Sequence, residues 1–130
     1  MHMHTIDLEI ADNRKKLIML AMRLFKLWNL DDVSQLNLLG LNLSNQSLLI
    51  KYRKGDQALS TRDVLDRIGW LLSIHKALRL LYPKNKKLRY SWINLRHQVL
   101  NNLTPLEVMK EQGLIGLAKI ARYLDCLRGQ

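Results

Sequence analysis

Few side chains of this 130-residue sequence could act as a nucleophile, a general base or a metal ligand. The single thiol, Cys126, has no histidine near it in sequence, which favours a structural cysteine over a nucleophile. His75 falls on the apolar stripe of a predicted helix, which favours a hydrogen-bonded core residue, and His97 is isolated. His2 and His4 could hold a metal weakly, but a frayed N-terminus explains their spacing at least as well. With no zinc-type spacing and no glycine-rich loop after a strand, the sequence predicts neither an enzyme nor a metal or cofactor.

A second group of polar side chains lies where a DNA-reading helix would present them. Two short helical segments, residues 33–39 and 44–53, flank a turn at Gly40 and follow a longer helix, which is the order of a helix-turn-helix. In that motif the start of the second helix reads base edges, whereas basic residues at its far end contact phosphates. The sequence therefore predicts DNA contacts through Ser44, Asn45, Gln46, Lys51, Arg53 and Lys54. The alternative is a plain helical hairpin with a solvated polar face.

Positive charge is concentrated in the second half of the chain. The sequence carries 21 Lys and Arg against 11 Asp and Glu, a net charge of +10. Residues 57–130 hold thirteen basic and five acidic side chains, a net charge of +8, and no acidic residue occurs between Asp66 and Glu107. Such a field attracts nucleic acids and acidic partners, although a solvated surface explains it equally well. The helix-turn-helix region, residues 1–56, carries only +2, which favours the plain hairpin there.

Helical periodicity predicts an all-α fold of about seven helices. Only two prolines and six glycines interrupt a chain that is 48% apolar. The first helix is expected to bury one face formed by Leu17, Leu20, Ala21, Leu24, Leu27 and Trp28. Asn29 should end this helix, and the Asp31-Asp32 pair offers a cap for the next. Gly40 and Gly55 are suited to end the two short helices.

Capping residues also divide the second half of the sequence. Ser60 can cap a helix whose apolar stripe runs from Val64 to Tyr82, and Pro83 ends it. Another helix is expected over residues 88–101. Thr104, Pro105 and Glu107 then combine a capping box with the one helical position where proline is favoured, and Gly113 closes that helix. The last helix begins at residue 114 and buries Leu117, Ala118, Ala121 and Leu124.

Cysteine usage and the lack of long apolar runs predict a cytoplasmic protein. One cysteine cannot form an internal disulfide, which is typical of a reducing compartment. The longest apolar run near the start, residues 17–22, is far shorter than the roughly 18 residues that a membrane span needs. The acidic residues Asp7, Glu9 and Asp12 are unlike the basic start of a secretory signal.

Several ordered elements of the second half resemble the C-terminal toxin-binding domain of the Xre/MbcA/ParS-type antitoxins. Residues 66–78, Asp-Arg-Ile-Gly-Trp-Leu-Leu-Ser-Ile-His-Lys-Ala-Leu, are similar to a family signature that ends in a turn such as Leu81-Tyr82-Pro83. Trp92 and the Thr-Pro-Leu element at 104–106 match later family positions. Residues 122–129, Arg-Tyr-Leu-Asp-Cys-Leu-Arg-Gly, are similar to the family's terminal motif and form its most specific part. Ser73 and Cys126 replace residues that are often glycine and alanine in the family, and residues 94–102 replace its usual Pro-Asn and Phe-x-Gly elements.

This resemblance implies two regions, a helix-turn-helix-like part at 1–56 and a toxin-binding domain at 57–130. It also implies a partner, a RES-domain toxin that consumes NAD, whose active site the antitoxin occludes, and an operon that the pair represses. Carried onto this sequence, the terminal motif assigns toxin binding to Arg122, Tyr123, Asp125, Arg128 and Gly129. The guanidinium groups could enter a pocket built for the phosphates and carboxamide of NAD. A solvent-exposed pair between Arg122 and Asp125 is the simpler interpretation of their spacing.

We expect a homodimer, because Trp70, Leu71, Tyr82 and Trp92 offer more large apolar surface than a chain of this size easily hides. Two-fold symmetry would also suit a palindromic operator. Two other functions fit the same sequence: a stand-alone transcriptional regulator without a toxin, and a module that binds RNA or a membrane surface through the basic half.

Overall fold

The computed structural model describes residues 2–56 and 61–129, with the side chains described from residue 12 onwards. Within these ranges the regular secondary structure is helical, which confirms the predicted all-α class. Six α-helices are present there: α1 His2–Leu27, α2 Asp32–Leu38, α3 Gln46–Lys54, α4 Arg62–Leu81, α5 Lys86–Ser91 and α6 Pro105–Arg128. Short 3-10 turns occupy Leu43–Asn45, Trp92–Asn94 and Gln98–Leu100.

The helix ends lie where short-range hydrogen bonding predicts them. The Asp31 carboxylate accepts a 2.8 Å hydrogen bond from the Ser34 amide and caps α2. Hydrogen bonds from the Ser34 hydroxyl and amide also lower the pKa of Asp31. At α6 the Thr104 hydroxyl accepts from the Glu107 amide at 3.0 Å, and Pro105 occupies the first turn. Thr61 caps α4; Ser60, the predicted cap, lies outside the described residues.

A sharp kink divides α6 into two arms at Gly113. Its backbone angles of φ 60° and ψ −136° lie in a region that only glycine adopts readily. The kink brings Gly116 against the first arm, so that a Cβ atom there would lie 2.5 Å from the Val108 carbonyl oxygen. The predicted helix end at Gly113 is thus confirmed, and the second arm leaves in a new direction.

One hydrophobic core joins residues from Ile18 to Leu124. The second arm of α6 buries Leu117, Ile120, Ala121 and Leu124 in it. In α1 the buried face consists of Ile18, Ala21, Met22, Leu24, Phe25 and Trp28. The predicted face was therefore wrong in part: Leu17, Leu20 and Leu27 are exposed, because the helix is rotated toward Ile18 and Phe25.

The Arg67 side chain joins the first and second halves of the chain. Its Nε atom donates to Asp63 at 3.0 Å, and its side chain is mostly buried. A Cβ atom on Gly40 would lie 2.5 Å from that Nε, and one on Gly113 would lie 3.9 Å from the guanidinium nitrogens. Both glycines have positive φ, so the guanidinium fits between two turns that lack side chains.

The helix expected over residues 88–101 is wrong. Helix α5 ends at Ser91, and two 3-10 turns follow it before a single antiparallel bridge between His97 and Leu103. Asn101 and Asn102 have φ of 58° and 64°, which asparagine tolerates better than most residues and which no α-helix contains. This course directs Trp92, Ile93 and Leu100 into the core.

Among the described residues, no helix combines the length and the apolar character that crossing a membrane requires.

Candidate functional site

The end of α6 presents three charged side chains to solvent. Arg122, Asp125 and Arg128 are all exposed and lie three residues apart, so they span an arc of about 120° on the helix. Arg128 Nη1 lies 3.3 Å from the Asp125 carboxylate. The alternative interpretation, a pair between Arg122 and Asp125, is not among the ion pairs of the described residues, where Arg128 is the partner of Asp125 instead.

Tyr123 lies on the inner side of the same turns and belongs to a cluster of rings. Its centroid is 6.0 Å from Trp92 and 5.8 Å from His97, while Trp92 and His97 lie 4.8 Å apart. The ring of Tyr123 is half-buried, so its role is to hold α6 against the 92–103 segment. Gly129 ends the helix with ordinary right-handed angles and is exposed.

His97 is the member of this cluster that the sequence did not reveal. It looks isolated in sequence, yet it contacts both aromatic neighbours, and its Nε2 is buried without a hydrogen-bond partner among the described residues. The helix predicted over residues 88–101 could not have placed it, because that segment folds as 3-10 turns after Ser91. His97 and Trp92 pack against Tyr123 and so stabilise the position of the terminal motif.

The arrangement is suited to binding another molecule rather than to bond making. Two guanidinium groups and one carboxylate can offer planar donors and a paired acceptor to a polar pocket. The second arm of α6 is fixed in the core up to Leu124, so the backbone that carries these groups loses little freedom on binding. Among the described residues no three His, Cys, Asp or Glu side chains are grouped to hold a metal, and Cys126 is exposed. The side chains of His2 and His4 lie outside the described residues.

The predicted DNA-contact residues lie on or just before α3, but they do not all present free side chains. Gln46, Lys51 and Lys54 are exposed. Asn45 accepts a 3.1 Å hydrogen bond from the Asn42 amide, and the Ser44 hydroxyl contacts the Asn42 carboxamide. These two side chains therefore shape the turn that starts α3.

Arg53 connects α3 to α2. Its guanidinium donates to the Asp32 carboxylate at 2.5 Å and to Gln35 Oε1 at 3.0 Å. Gln35 is buried and donates in turn to the Leu30 carbonyl at 2.9 Å. Arg53 is thus engaged in holding the two short helices together, although its side chain is partly exposed. Lys51 and Lys54 are the exposed cations of α3 that form no ion pair with the other described residues.

The basic side chains between Asp66 and Glu107 differ in their exposure to solvent. Lys84, Lys86 and Lys87 are exposed around the turn into α5. Arg89 is instead buried and donates to the Tyr82 carbonyl at 3.1 Å and to the Pro83 carbonyl at 2.7 Å. Its role is to satisfy the carbonyl groups at the end of α4.

His75 is half-buried on α4, with Nε2 3.5 Å from the Tyr90 hydroxyl. Burial lowers the pKa of His75 below its usual 6.5, and the nearby charges of Arg79 and Arg89 lower the pKa further. Protonation is therefore disfavoured in the folded state relative to the unfolded state. The resulting loss of stability is absent well above pH 6.5 and grows as the pH falls through that value.

We expect the free energy of unfolding to decrease between pH 7.5 and pH 5.5, in part through His75. A His75→Gln variant should show a smaller decrease over the same interval, because glutamine does not titrate. Urea unfolding at several pH values measures this difference. Equal pH dependence of the two proteins would contradict it.

The apolar surface from which a homodimer was expected is mostly internal. Leu71 and Trp92 are buried, and Trp70 and Tyr82 are half-buried and packed against the core. Leu71 and Trp92 therefore offer no surface to a partner, whereas Trp70 and Tyr82 offer part of theirs; the homodimer stays a prediction.

The last part of the chain matches a known protein family. Residues 77–129 match the family described as the antitoxin Xre/MbcA/ParS C-terminal toxin-binding domain. The chain is also 28% identical over 102 residues to uncharacterized protein y4oB of Sinorhizobium fredii, an overlap that covers 78% of this chain and 76% of that protein. No solved structure is significantly similar. The matched residues include Trp92, the Thr104 cap and the charged end of α6; residues 77–129 are therefore similar to the C-terminal toxin-binding domain of the Xre/MbcA/ParS antitoxins.

Proposed function

We propose that this protein neutralises a RES-type, NAD-consuming toxin by occluding the toxin's active site with residues 122–129. The family domain supports an antitoxin role with a toxin partner. The resemblance of the terminal motif suggests the RES type. The observation that carries the proposal is the exposed Arg122, Asp125 and Arg128 group on a helix whose other face is buried up to Leu124. The site of action would be the cytoplasm.

The charges of the motif suit a pocket that normally accepts NAD. A carboxylate such as Asp125 can take the place of a phosphate opposite the cations of such a pocket. Guanidinium groups can donate to the acceptors that would bind the carboxamide and ribose. The protein needs no catalytic group of its own for this role, in agreement with an antitoxin domain.

Co-expression with a RES-type protein encoded next to this gene tests the proposal. The full chain should restore growth and the cellular NAD concentration, and the two proteins should co-purify. Growth arrest that persists with both proteins present and folded would contradict the RES assignment.

We further propose that the toxin–antitoxin pair represses its own operon through α3. The support is a short helix that follows a glycine turn and carries exposed Gln46, Lys51 and Lys54. Because Asn45, Ser44 and Arg53 are engaged within the fold, they would support this surface rather than read DNA.

Substitutions on α3 separate phosphate contacts from base contacts. Lys54→Ala should weaken binding to all DNA sequences and lower the slope of log K against log salt by about one unit. Gln46→Ala should instead reduce the preference for the operator over random DNA. Fluorescence anisotropy at several salt concentrations distinguishes the two effects. If the unmodified protein binds its promoter and scrambled DNA with equal affinity, the proposal of operator recognition through α3 is contradicted and the helix has only a structural role.

A stand-alone transcriptional regulator is the alternative function, and α3 is the feature that favours it. That protein would bind its operator with full affinity and show no effect of an adjacent toxin gene. Operator binding that is strengthened by co-purified toxin would argue for the paired system.

A further inference from the structure

A cavity of about 600 Å³ lies where the end of α1 meets the two short helices α2 and α3. It is partly open to solvent, and its volume falls within the range of about 300–1,000 Å³ that is usual for small-molecule sites. Charged, polar and apolar side chains all line it. The cavity is remote in sequence from residues 122–129, and the functions proposed above do not use it.

Positive charge predominates in this cavity. Arg23 and Lys26 line it from α1, and because they are three residues apart they lie side by side on the helix. Both side chains are exposed, and neither forms an ion pair with the other described residues. Arg53 lines the cavity from α3, and Asp32 is the one acidic side chain among the described residues around it. Three basic side chains against one acidic side chain favour an anionic ligand.

The guanidinium of Arg53 keeps donors that a ligand can use. Its hydrogen bonds to Asp32 and Gln35 both come from Nη2. A guanidinium group has five N–H donors, and those on Nη1 and Nε of Arg53 bind no other described residue. The side chain is also partly exposed. A phosphate group in the cavity can therefore accept charge-assisted hydrogen bonds from Arg53 as well as from the two cations of α1.

Apolar side chains form another part of the same wall. Met22 is buried, Leu30 is half-buried, and Met19 is 38% exposed. Thioether side chains make favourable contacts with aromatic rings, with the sulfur about 5 Å from the ring. The buried Gln35 also lines the cavity and donates one amide hydrogen to the Leu30 carbonyl, so that its second amide hydrogen can reach a ring nitrogen or a carbonyl group. A heteroaromatic ring therefore suits this part of the wall.

We propose that this cavity binds a nucleotide, with the base against the two methionines and a diphosphate at the three cations. The site goes beyond the antitoxin function and depends on neither toxin nor DNA. Because Arg53 also connects α3 to α2 through Asp32, a bound phosphate and Asp32 compete for the same guanidinium. A nucleotide in the cavity would thus loosen the contact between the two short helices.

Isothermal titration calorimetry of the full chain with ADP at low ionic strength tests the site. ADP should bind at one site per chain with a dissociation constant of about 100 µM or lower. Adenosine lacks the phosphates and pyrophosphate lacks the base, so each fills only part of the cavity. Each should therefore bind about tenfold more weakly than ADP or worse.

Removal of two cations should weaken the binding. Arg23→Gln with Lys26→Gln should raise the dissociation constant of ADP about tenfold or more. Both side chains are exposed, so the fold should be kept, which circular dichroism verifies. The matched control is Lys86→Gln with Lys87→Gln, which removes the same charge from exposed positions on α5 and should leave the affinity unchanged.

Removal of the carboxylate should have the opposite effect. Asp32→Asn should tighten ADP binding about threefold or more, because it removes the negative charge from the cavity and releases Arg53. Its control, Asp66→Asn, removes an exposed carboxylate of α4 that lies 4.0 Å from Arg62, and it should leave the affinity unchanged. A merely structural role of Asp32 would not strengthen the binding of a ligand.

Three results would overturn the proposal. One is the lack of saturable ADP binding at millimolar concentration. The second is pyrophosphate that binds as tightly as ADP, which would reduce the cavity to a general anion site. The third is an equal loss of affinity in the α1 pair of substitutions and in the α5 control pair, which would show that ADP follows the net charge of the protein and not this cavity.

Discussion

Deleting residues 125–130 should abolish protection against the toxin and leave a folded protein. Leu124 is the last fully buried side chain, and Leu127, which is among the deleted residues, packs against the core with a half-buried side chain. The deletion should therefore lower the stability slightly and leave the fold intact. They hold the Asp125–Arg128 pair that the proposed site needs. Removing one partner of a buried charged contact typically costs about 2–5 kcal/mol of binding, mostly through faster dissociation. Co-expression, with cell growth and NAD as readouts, measures the loss.

Single substitutions distinguish the role of the charged side chains from that of the aromatic rings that pack against the same helix. Arg128→Ala should weaken protection without changing helical content, and Lys119→Ala, an exposed cation on the same arm, serves as its control. Tyr123→Ala should instead lower stability as well, because it opens the ring cluster with Trp92 and His97. If the truncated chain protects as well as the full chain, the terminal motif is not the toxin site, and the exposed lysines near α5 become the next candidate.

Gly116→Ala should destabilise the protein, whereas the same substitution at Gly69 should stabilise it. A Cβ atom at 116 would lie 2.5 Å from the Val108 carbonyl oxygen and 3.2 Å from the Met109 Cα, and backbone atoms cannot move away cheaply. Overpacking of this kind costs about 1–3 kcal/mol. Gly69 lies on the exposed face of α4 with nothing within 4 Å of an added Cβ atom, so alanine there should add about 0.5–1 kcal/mol through helix propensity.

Thermal unfolding of the two variants provides the comparison. We expect the midpoint of Gly116→Ala to fall by about 4 °C or more and that of Gly69→Ala to rise by a few degrees. Because the contact at 116 sets the angle between the arms of α6, Gly116→Ala should also reduce toxin neutralisation. Two variants with the same sign of change would show that the arms are not in tight contact.

Short-range features of this fold could be predicted from sequence because their causes are local. The Asp31 and Thr104 caps depend on residues three positions away, and the turns at Gly40, Gly55 and Gly113 depend on backbone angles that favour glycine. The resemblance to the antitoxin toxin-binding domain could also be recognised from sequence, because the motifs of that domain follow one another in a fixed order along the chain. Residues 77–129 do match that family.

Long-range packing could not be predicted in the same way. Helix α1 has apolar residues on two sides, so periodicity alone could not decide that Ile18 and Phe25 are buried while Leu17 and Leu20 are exposed. Residues 88–101 contain enough helix formers to suggest one helix, but burial of Trp92 and Leu100 selects two 3-10 turns and left-handed asparagines.

For the candidate sites, sequence identified residue types but not their contacts. The sequence predicts that Arg53 contacts a DNA phosphate, but in the structure its guanidinium donates hydrogen bonds to Gln35 and Asp32. His97 shows no pattern in sequence, because its neighbours Trp92 and Tyr123 meet it only through the fold.

The guanidinium of Arg67, set between Gly40 and Gly113, has a consequence for how amide protons exchange with solvent. The turn before α3 and the kink of α6 cannot separate without exposing that side chain and the core around it. The slowest amides of α1 and of the second arm of α6 should therefore exchange through the same opening, with one common free energy. A molecule that binds only residues 122–129 would raise this free energy. Its binding should consequently slow deuterium uptake in the buried part of α1, on a helix that it never touches.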